Sequence, residues 1–164
     1  MTIDAQSFRD TLGRFPTGVT VVTAVDRGGE LHGVTVGSFS SLSLDPPLVL
    51  FSLDKSAICY PAFVECTHFT VNILAEDQSE LSTAFASKND RPWDTIAWRR
   101  AEETGAPRLD GCIAYVHCMS GQRHDGGDHD IFVGGVLGLE VDLPDGRPLI
   151  HFGGAYRRLD PDRV

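Results

Sequence analysis

No run of apolar residues in this 164-residue chain approaches the ~18 positions that a membrane-spanning helix needs. The opening Met1-Thr-Ile-Asp-Ala-Gln6 lacks both the basic and the apolar region of a signal peptide. A cytoplasmic protein without a membrane partner is therefore expected. Positive charge is also scarce: 14 Lys and Arg against 23 Asp and Glu leave a formal net charge of -9. Such a surface repels nucleic acids and anionic lipid, so neither is an expected partner. Nucleotide-binding signatures are missing too. Without GxGxxG after a strand, a dinucleotide would not be held in the Rossmann manner, and without GxxxxGKS or GxxxxGKT the P-loop NTPases are excluded. No GxSxG elbow marks a serine hydrolase. Enzymatic reactivity would have to come from a bound cofactor.

Cysteines are few and irregularly spaced. Cys59, Cys66, Cys112 and Cys118 match neither a paired zinc site nor a redox dithiol, and in a reducing compartment they are expected as small buried hydrophobes. His124 and His129, with Asp125, Asp128 and Asp130 beside them, could hold a cation. Yet Gly126 and Gly127 make the same stretch a flexible loop, and no regular ligand spacing is present. No metal is expected.

What the sequence does carry is alternation and β-branching. Its 41% hydrophobic content is enough for one core, and no linker divides it, so residues 1–164 are read as one domain. Ile3 to Phe15 reads as an amphipathic helix, capped by Asp4, stapled by Ile3 against Phe8, and docking Phe8, Leu12 and Phe15 on the core. Val19 to Val25 is a β-branched strand, and the turn Asp26 to Glu30 returns the chain into Leu31 to Phe39. Leu48 to Leu53 is apolar enough for a strand buried on both faces. Short helices are expected over Ala57 to Val64 and Asp77 to Phe85, with a polar exit over Ala86 to Arg91. Phe69 to Leu74, between those helices, alternates as a strand. Trp93 and Trp98 would be packing anchors or the lid of a pocket. Strands return at Cys112 to Ser120, Ile131 to Val141 and Leu149 to Phe152, the last two separated by a Pro-Asp-Gly turn. Seven or so strands joined by short turns predict a mostly β, antiparallel, barrel-like domain with three short helices at its rim.

Chemistry concentrates in Gly33 to Pro47. Ser38, Ser40, Ser41 and Ser43 crowd a short stretch with Gly37, offering hydroxyl and backbone donors with little bulk, as close approach to a phosphate or planar polar ring requires. A Ser-rich bulge turning a barrel corner would look the same. Lys55 and Ser56 precede an expected helix and would suit an anion, or Lys55 is an ordinary solvent-facing lysine.

Six segments in order carry a resemblance: Phe15 to Thr23, Gly33 to Leu48, Lys55-Ser56, Phe69 to Leu74, Gly127-Asp-His129 and Tyr156. Together they resemble the short-chain flavin reductases, the reductase components of two-component flavin-dependent monooxygenases. The resemblance implies an FMN-binding split β-barrel and a homodimer holding FMN or FAD near the subunit interface. Hydride would come from NADH or NADPH, and reduced flavin would pass to a transient monooxygenase partner. It places Thr35, Val36, Gly37 and Ser38 along the isoalloxazine, and Ser41, Ser52, Lys55 and Ser56 at the ribityl and phosphate end. Pro16 and Thr17 would stand beside the ring, and Phe85 would begin the segment reaching the distal part of the flavin. His129 resembles the catalytic-site histidine near flavin and nicotinamide, in a positioning role, while Tyr156 and Arg157 resemble the segment that closes over the pyridine nucleotide. Gly37 is a departure, since relatives often carry Asn or Ser there. The alternatives are a flavin-binding split barrel without reductase activity and a pyridoxamine-phosphate-oxidase-like enzyme, which should show more basic residues than Lys55 around its phosphate.

Overall fold

The computed structural model describes residues 3–87 and 92–160. Helix α1 (Ala5–Leu12) is followed by β1 (Thr17–Gly18), β2 (Thr20–Val25), β3 (Leu31–Val36), β4 (Ser40–Leu44) and β5 (Pro47–Asp54). Next come α2 (Tyr60–Glu65), β6 (His68–Ile73), α3 (Ser79–Ala86), a 3-10 turn (Pro92–Asp94) and the short pair β7 (Trp98–Arg100) and β8 (Pro107–Leu109). A long hairpin, β9 (Ala114–Gly126) with β10 (His129–Val141), precedes β11 (Ile150–Phe152) and β12 (Ala155–Arg157). The polar exit expected over Ala86 to Arg91 lies largely outside the described residues. No described helix is long and apolar enough to cross a membrane.

Seven strands form one antiparallel sheet in the order β3-β2-β6-β9-β10-β5-β4. Strands β3 and β4 are consecutive in the chain yet occupy opposite edges. The sheet curls until β3 approaches β5, and Gly37, Ser38 and Phe39 carry the chain across the gap that remains. This is a split barrel, closed at its seam by connecting chain rather than by a hydrogen-bonded ladder. Ser38 fastens the seam, its Oγ accepting from Ser52 N at 2.9 Å and donating to Ser52 O at 3.2 Å. The Ser-rich run therefore divides in two. Its first part crosses the seam, and its second, in β4, is an edge strand bulged between Ser41 and Ser43.

Two apolar clusters lie on either side of the sheet. Val22, Ala24, Phe51, Phe63, Phe69 and Phe132 fill the barrel, with Phe51 stacked on Phe132 at 5.3 Å and 11°. Val19, Val21, Leu74, Leu109, Tyr115 and Leu149 form the second cluster on the outer face. Strands β2 and β6 are consequently buried on both faces. Strand β5 is not, contrary to expectation: Val49, Phe51 and Leu53 are buried while Leu48, Leu50 and Ser52 are only half-buried. It lies one strand from the sheet edge and contributes nothing to the outer cluster. Cys66, Cys112 and Cys118 are buried as expected, and burial pushes the Cys112 and Cys118 thiols up to about 12.

Two further expectations are corrected. Asp4 caps α1 by accepting Ser7 N at 2.9 Å, but the helix buries no residue, and Phe8 and Leu12 stay 54% and 53% exposed. Its apolar face lies outside both clusters, and the turn after it is tied to the body where Gly153 N donates to Gly13 O at 2.8 Å. The stretch around Gly126 and Gly127 is no flexible loop either. It is the tight turn of the β9–β10 hairpin, with Gly127 at φ +86.

Candidate functional site

The seam opens into a cleft of about 700 Å³. Strand β3 walls it from Leu31 to Val36, and Gly37 and Ser38 continue that wall. As an edge strand β3 pairs only with β2, so the backbone groups on its other side are left for the cleft. Ser52, Leu53 and Asp54 of β5 and the turn Ser56 to Cys59 supply the facing wall. Beside Gly33 the lining is aromatic: a Cβ at Gly33 would lie 2.5 Å from Phe85 Cε1, so the absent side chain is what lets that ring lie against the strand. Phe85 meets Trp93 edge to face at 5.0 Å, and Trp93 meets Trp98 at 5.9 Å. The tryptophans thus serve both uses weighed from sequence, Trp93 as cleft wall and Trp98 as the ring packed behind it. Beside Asp54, its register partner, His129 reaches the cleft from the first residue of β10.

Eight of the residues singled out from sequence line this cleft. They are Thr35, Val36, Gly37 and Ser38, Ser52 and Ser56, and Phe85 and His129. Not all face it with a free polar group. The Thr35 hydroxyl donates to Ser82 O at 2.6 Å, and the Ser38 hydroxyl is occupied by Ser52. What these two positions bring to a ligand is therefore chiefly backbone.

The other six lie off the lining. Thr17, in β1, is one layer back: a Cβ at Gly37 would stand 3.3 Å from its Oγ1, and Pro16 precedes it. Ser41 is exposed in the edge strand opposite Val49. Tyr156 shares a 2.8 Å hydrogen bond with Ser82 Oγ, so it reaches the β3 wall through Ser82, which is fully buried. Arg157 is exposed opposite Ile150.

Lys55 departs furthest from expectation. Its ammonium is bonded to the Asp125 carboxylate, donates to Gly127 O at 2.7 Å and lies 3.3 Å from Asp130. The Asp125 hydrogen bond raises the lysine above its ordinary value. Asp130, 5% exposed, also accepts from Tyr60 OH at 2.5 Å and lies 3.4 Å from Arg123 Nε. The Tyr60 hydroxyl and then Lys55, winning over burial, hold that carboxyl below the usual range. None of the described lining residues is Lys or Arg.

Of the carboxylates weighed from sequence as cation ligands, Asp125 and Asp130 hold a lysine and Asp128 lies 2.8 Å from His129 Nδ1, while His124 sits in the ladder opposite Ile131. Sequence reasoning did not single out Leu31, His32, Asp54 or Cys59, all in the lining. Following β3 back from Thr35 at its own two-residue period would have reached Leu31 and Gly33. Asp54 and Cys59 carry no such signal.

Fold and site together define an antiparallel split barrel whose seam is a cleft furnished with backbone donors and aromatic rings. Residues 12–160 match the family model of the flavin reductase like domain, and the chain belongs to that family. It is 47% identical over 156 residues to the FMN reductase (NADH) SmoA of Agrobacterium fabrum, a match covering 95% of this chain and 87% of that one. The flavin-dependent monooxygenase reductase subunit HsaB of Mycobacterium tuberculosis is 40% identical over 163 residues, covering 99% and 86%. Among solved structures, the NADH:FAD oxidoreductase SgcE6 of Streptomyces globisporus, in complex with NAD and FAD fragments, superposes with a TM-score of 0.92. It shares 35% identity, with 100% of this chain and 99% of that one covered.

Proposed function

We propose that this chain is an NAD(P)H-dependent flavin reductase that passes hydride from NADH or NADPH to FMN or FAD and supplies reduced flavin to a partner flavin-dependent monooxygenase. The observation that carries this reading is the cleft along the unpaired edge of β3. An isoalloxazine needs a slot with apolar faces and donors along one polar edge. Val36 and Leu53 offer the first, and the backbone from Thr35 to Ser38 the second. The related proteins named as NADH-dependent FMN and FAD reductases and as a monooxygenase reductase subunit support the same activity.

Bound flavin supplies the hydride-accepting chemistry. The residues around it bind, align and exclude water. His129 is assigned a place against the nicotinamide, orienting it without moving a proton. Ser52 and Ser56 attend the ribityl and phosphate end, and Phe85 with Trp93 covers the flavin's distal part. Tyr156, held through Ser82, steadies the β3 wall, and Arg157 is left for the pyridine nucleotide. The protein acts as one cytoplasmic domain and forms a homodimer, transiently meeting its oxygenase. The exposed apolar face of α1 and the exposed Leu137, Leu139 and Val141 of β10 support the dimer.

The test is NADH and NADPH oxidation, followed by nicotinamide absorbance, with and without FMN, FAD or riboflavin. Flavin-dependent consumption is expected. His129→Ala should raise KM for the nucleotide several-fold while flavin binding changes less. Flavin binding with no turnover for any pair would overturn the reductase reading in favour of a binding protein.

A further inference from the structure

His129 is the only described side chain of the hairpin turn region to enter the cleft, and its Nδ1 lies 2.8 Å from the carboxylate of Asp128 in the turn itself, so where the imidazole stands depends on where the turn is held. Beyond the ladder that pairs His129 with Gly126 and Asp130 with Asp125, the backbone of the turn is tied to the end of β5 by Lys55. Lys55 N donates to Asp128 O at 3.0 Å, and Lys55 Nζ donates to Gly127 O at 2.7 Å. The same ammonium holds the side chain of Asp125, before the turn, and lies 3.3 Å from that of Asp130, after it. One residue therefore grips the backbone of the two residues preceding His129 and side chains on both sides of it. Asp130 is in turn anchored by Tyr60 and Arg123, so the grip is fastened to α2 as well as to β5.

We propose that Lys55 is a positioning residue for His129: it clamps the β9–β10 turn to the end of β5 and sets the imidazole in the cleft, instead of serving as the cation for a flavin phosphate. This rests on the reading of His129 as the nicotinamide-facing residue. The charge count supports it. Two carboxylates, Asp125 and Asp130, already surround the ammonium, and Asp54 stands in the cleft wall where the phosphate end was expected. An anion entering there would have to displace them.

The experiment compares Lys55→Met, Lys55→Arg, His129→Ala and the Lys55→Met/His129→Ala double variant in the full chain. Steady-state kinetics use NADH with FMN and with riboflavin, and amide hydrogen exchange is read over residues 125–130. Lys55→Met should speed exchange at the turn and raise KM for NADH about three- to ten-fold, with kcat within about twofold, and Lys55→Arg should restore much of both. FMN and riboflavin should be affected alike, and the double variant should be no worse than His129→Ala alone, because the two changes remove one interaction. A loss of tenfold or more toward FMN that spares riboflavin would overturn the clamp and return Lys55 to the phosphate. So would multiplying effects in the double variant, or unchanged exchange in Lys55→Met. Unchanged kinetics in His129→Ala, with exchange still faster in Lys55→Met, would instead overturn the reading of His129 and with it the role given to the grip.

Discussion

At Gly33 a single missing methyl group shapes the cleft. The φ there is not in the left-handed region, so the position could accept a side chain conformationally; what excludes one is the Phe85 ring, 2.5 Å from where Cβ would be. Gly33→Ala must therefore move Phe85, and with it Trp93. We expect a loss of about 1–3 kcal/mol in stability, the usual cost of overpacking. Tryptophan emission should change, and KM for flavin should rise. Unaltered emission and flavin KM would show that the ring can shift without touching the site. Gly37 contrasts with Gly33, since a Cβ there would meet only Thr17 Oγ1 at 3.3 Å, which a rotamer change relieves. Gly37→Ser should fold normally and, by adding a hydroxyl on the cleft wall, lower KM for flavin; a raised flavin KM would contradict that placement. Lys55 shows where reading by residue type stops. A lysine near serines is a sound anion candidate from sequence, but its two carboxylate partners lie 70 and 75 positions away in the chain. The pairing of β5 with β10, and of β10 with β9, brings them together.

The elements most legible in sequence were those whose local chemistry decides the outcome. Strand β2 follows from β-branching, its turn to β3 from Gly28-Gly29, and the cap of α1 from Asp4. Burial was misassigned between β5 and β6 for a physical reason: a strand's hydrophobicity reports its own side chains, whereas two-sided burial needs another layer above it. Strands β2, β6 and the first half of β9 have that layer, and β5 does not. The β9–β10 hairpin was hidden because its polar tip, Arg123 to Asp130, looks like a loop until its charges are seen to be matched across strands. Those charges predict acid sensitivity. The Asp125 and Asp130 carboxyls are held below the ordinary range, Asp125 chiefly by the Lys55 hydrogen bond and Asp130 chiefly by that of Tyr60. A carboxyl depressed on folding stabilises the protein above its unfolded value, about 4, and loses that contribution as pH falls through the lower folded value. Tm should thus decline as pH drops below about 4. Asp130→Asn should show a lower Tm at neutral pH and a shallower decline in acid. A decline as steep as in the parent would place the acid-labile groups elsewhere.

On the scale of the whole molecule, the split barrel leaves apolar surface that the single chain does not use. Phe8 and Leu12 of α1 face outward, and Leu139 and Val141 are 72% and 67% exposed on one face of β10 with Leu137. They alternate at the two-residue period of a strand with one uncovered face. A helix with capped ends whose apolar stripe buries no residue among those described is poorly stabilised alone, since most helical stability comes from packing. In a homodimer, α1 and the end of β10 would be covered, and the helix would gain the docking surface that its sequence pattern anticipates and its own chain does not provide. Light scattering should then report about twice the 17.8 kDa chain mass. Leu139→Glu, which puts a charge on that face far in sequence from the cleft residues of β3 and β5, should give a monomer with lower helix content. A variant still dimeric, with unchanged helix signal, would show that this face is not the interface. If the parent chain itself scatters as a monomer, α1 stands free in solution and the homodimer proposal fails.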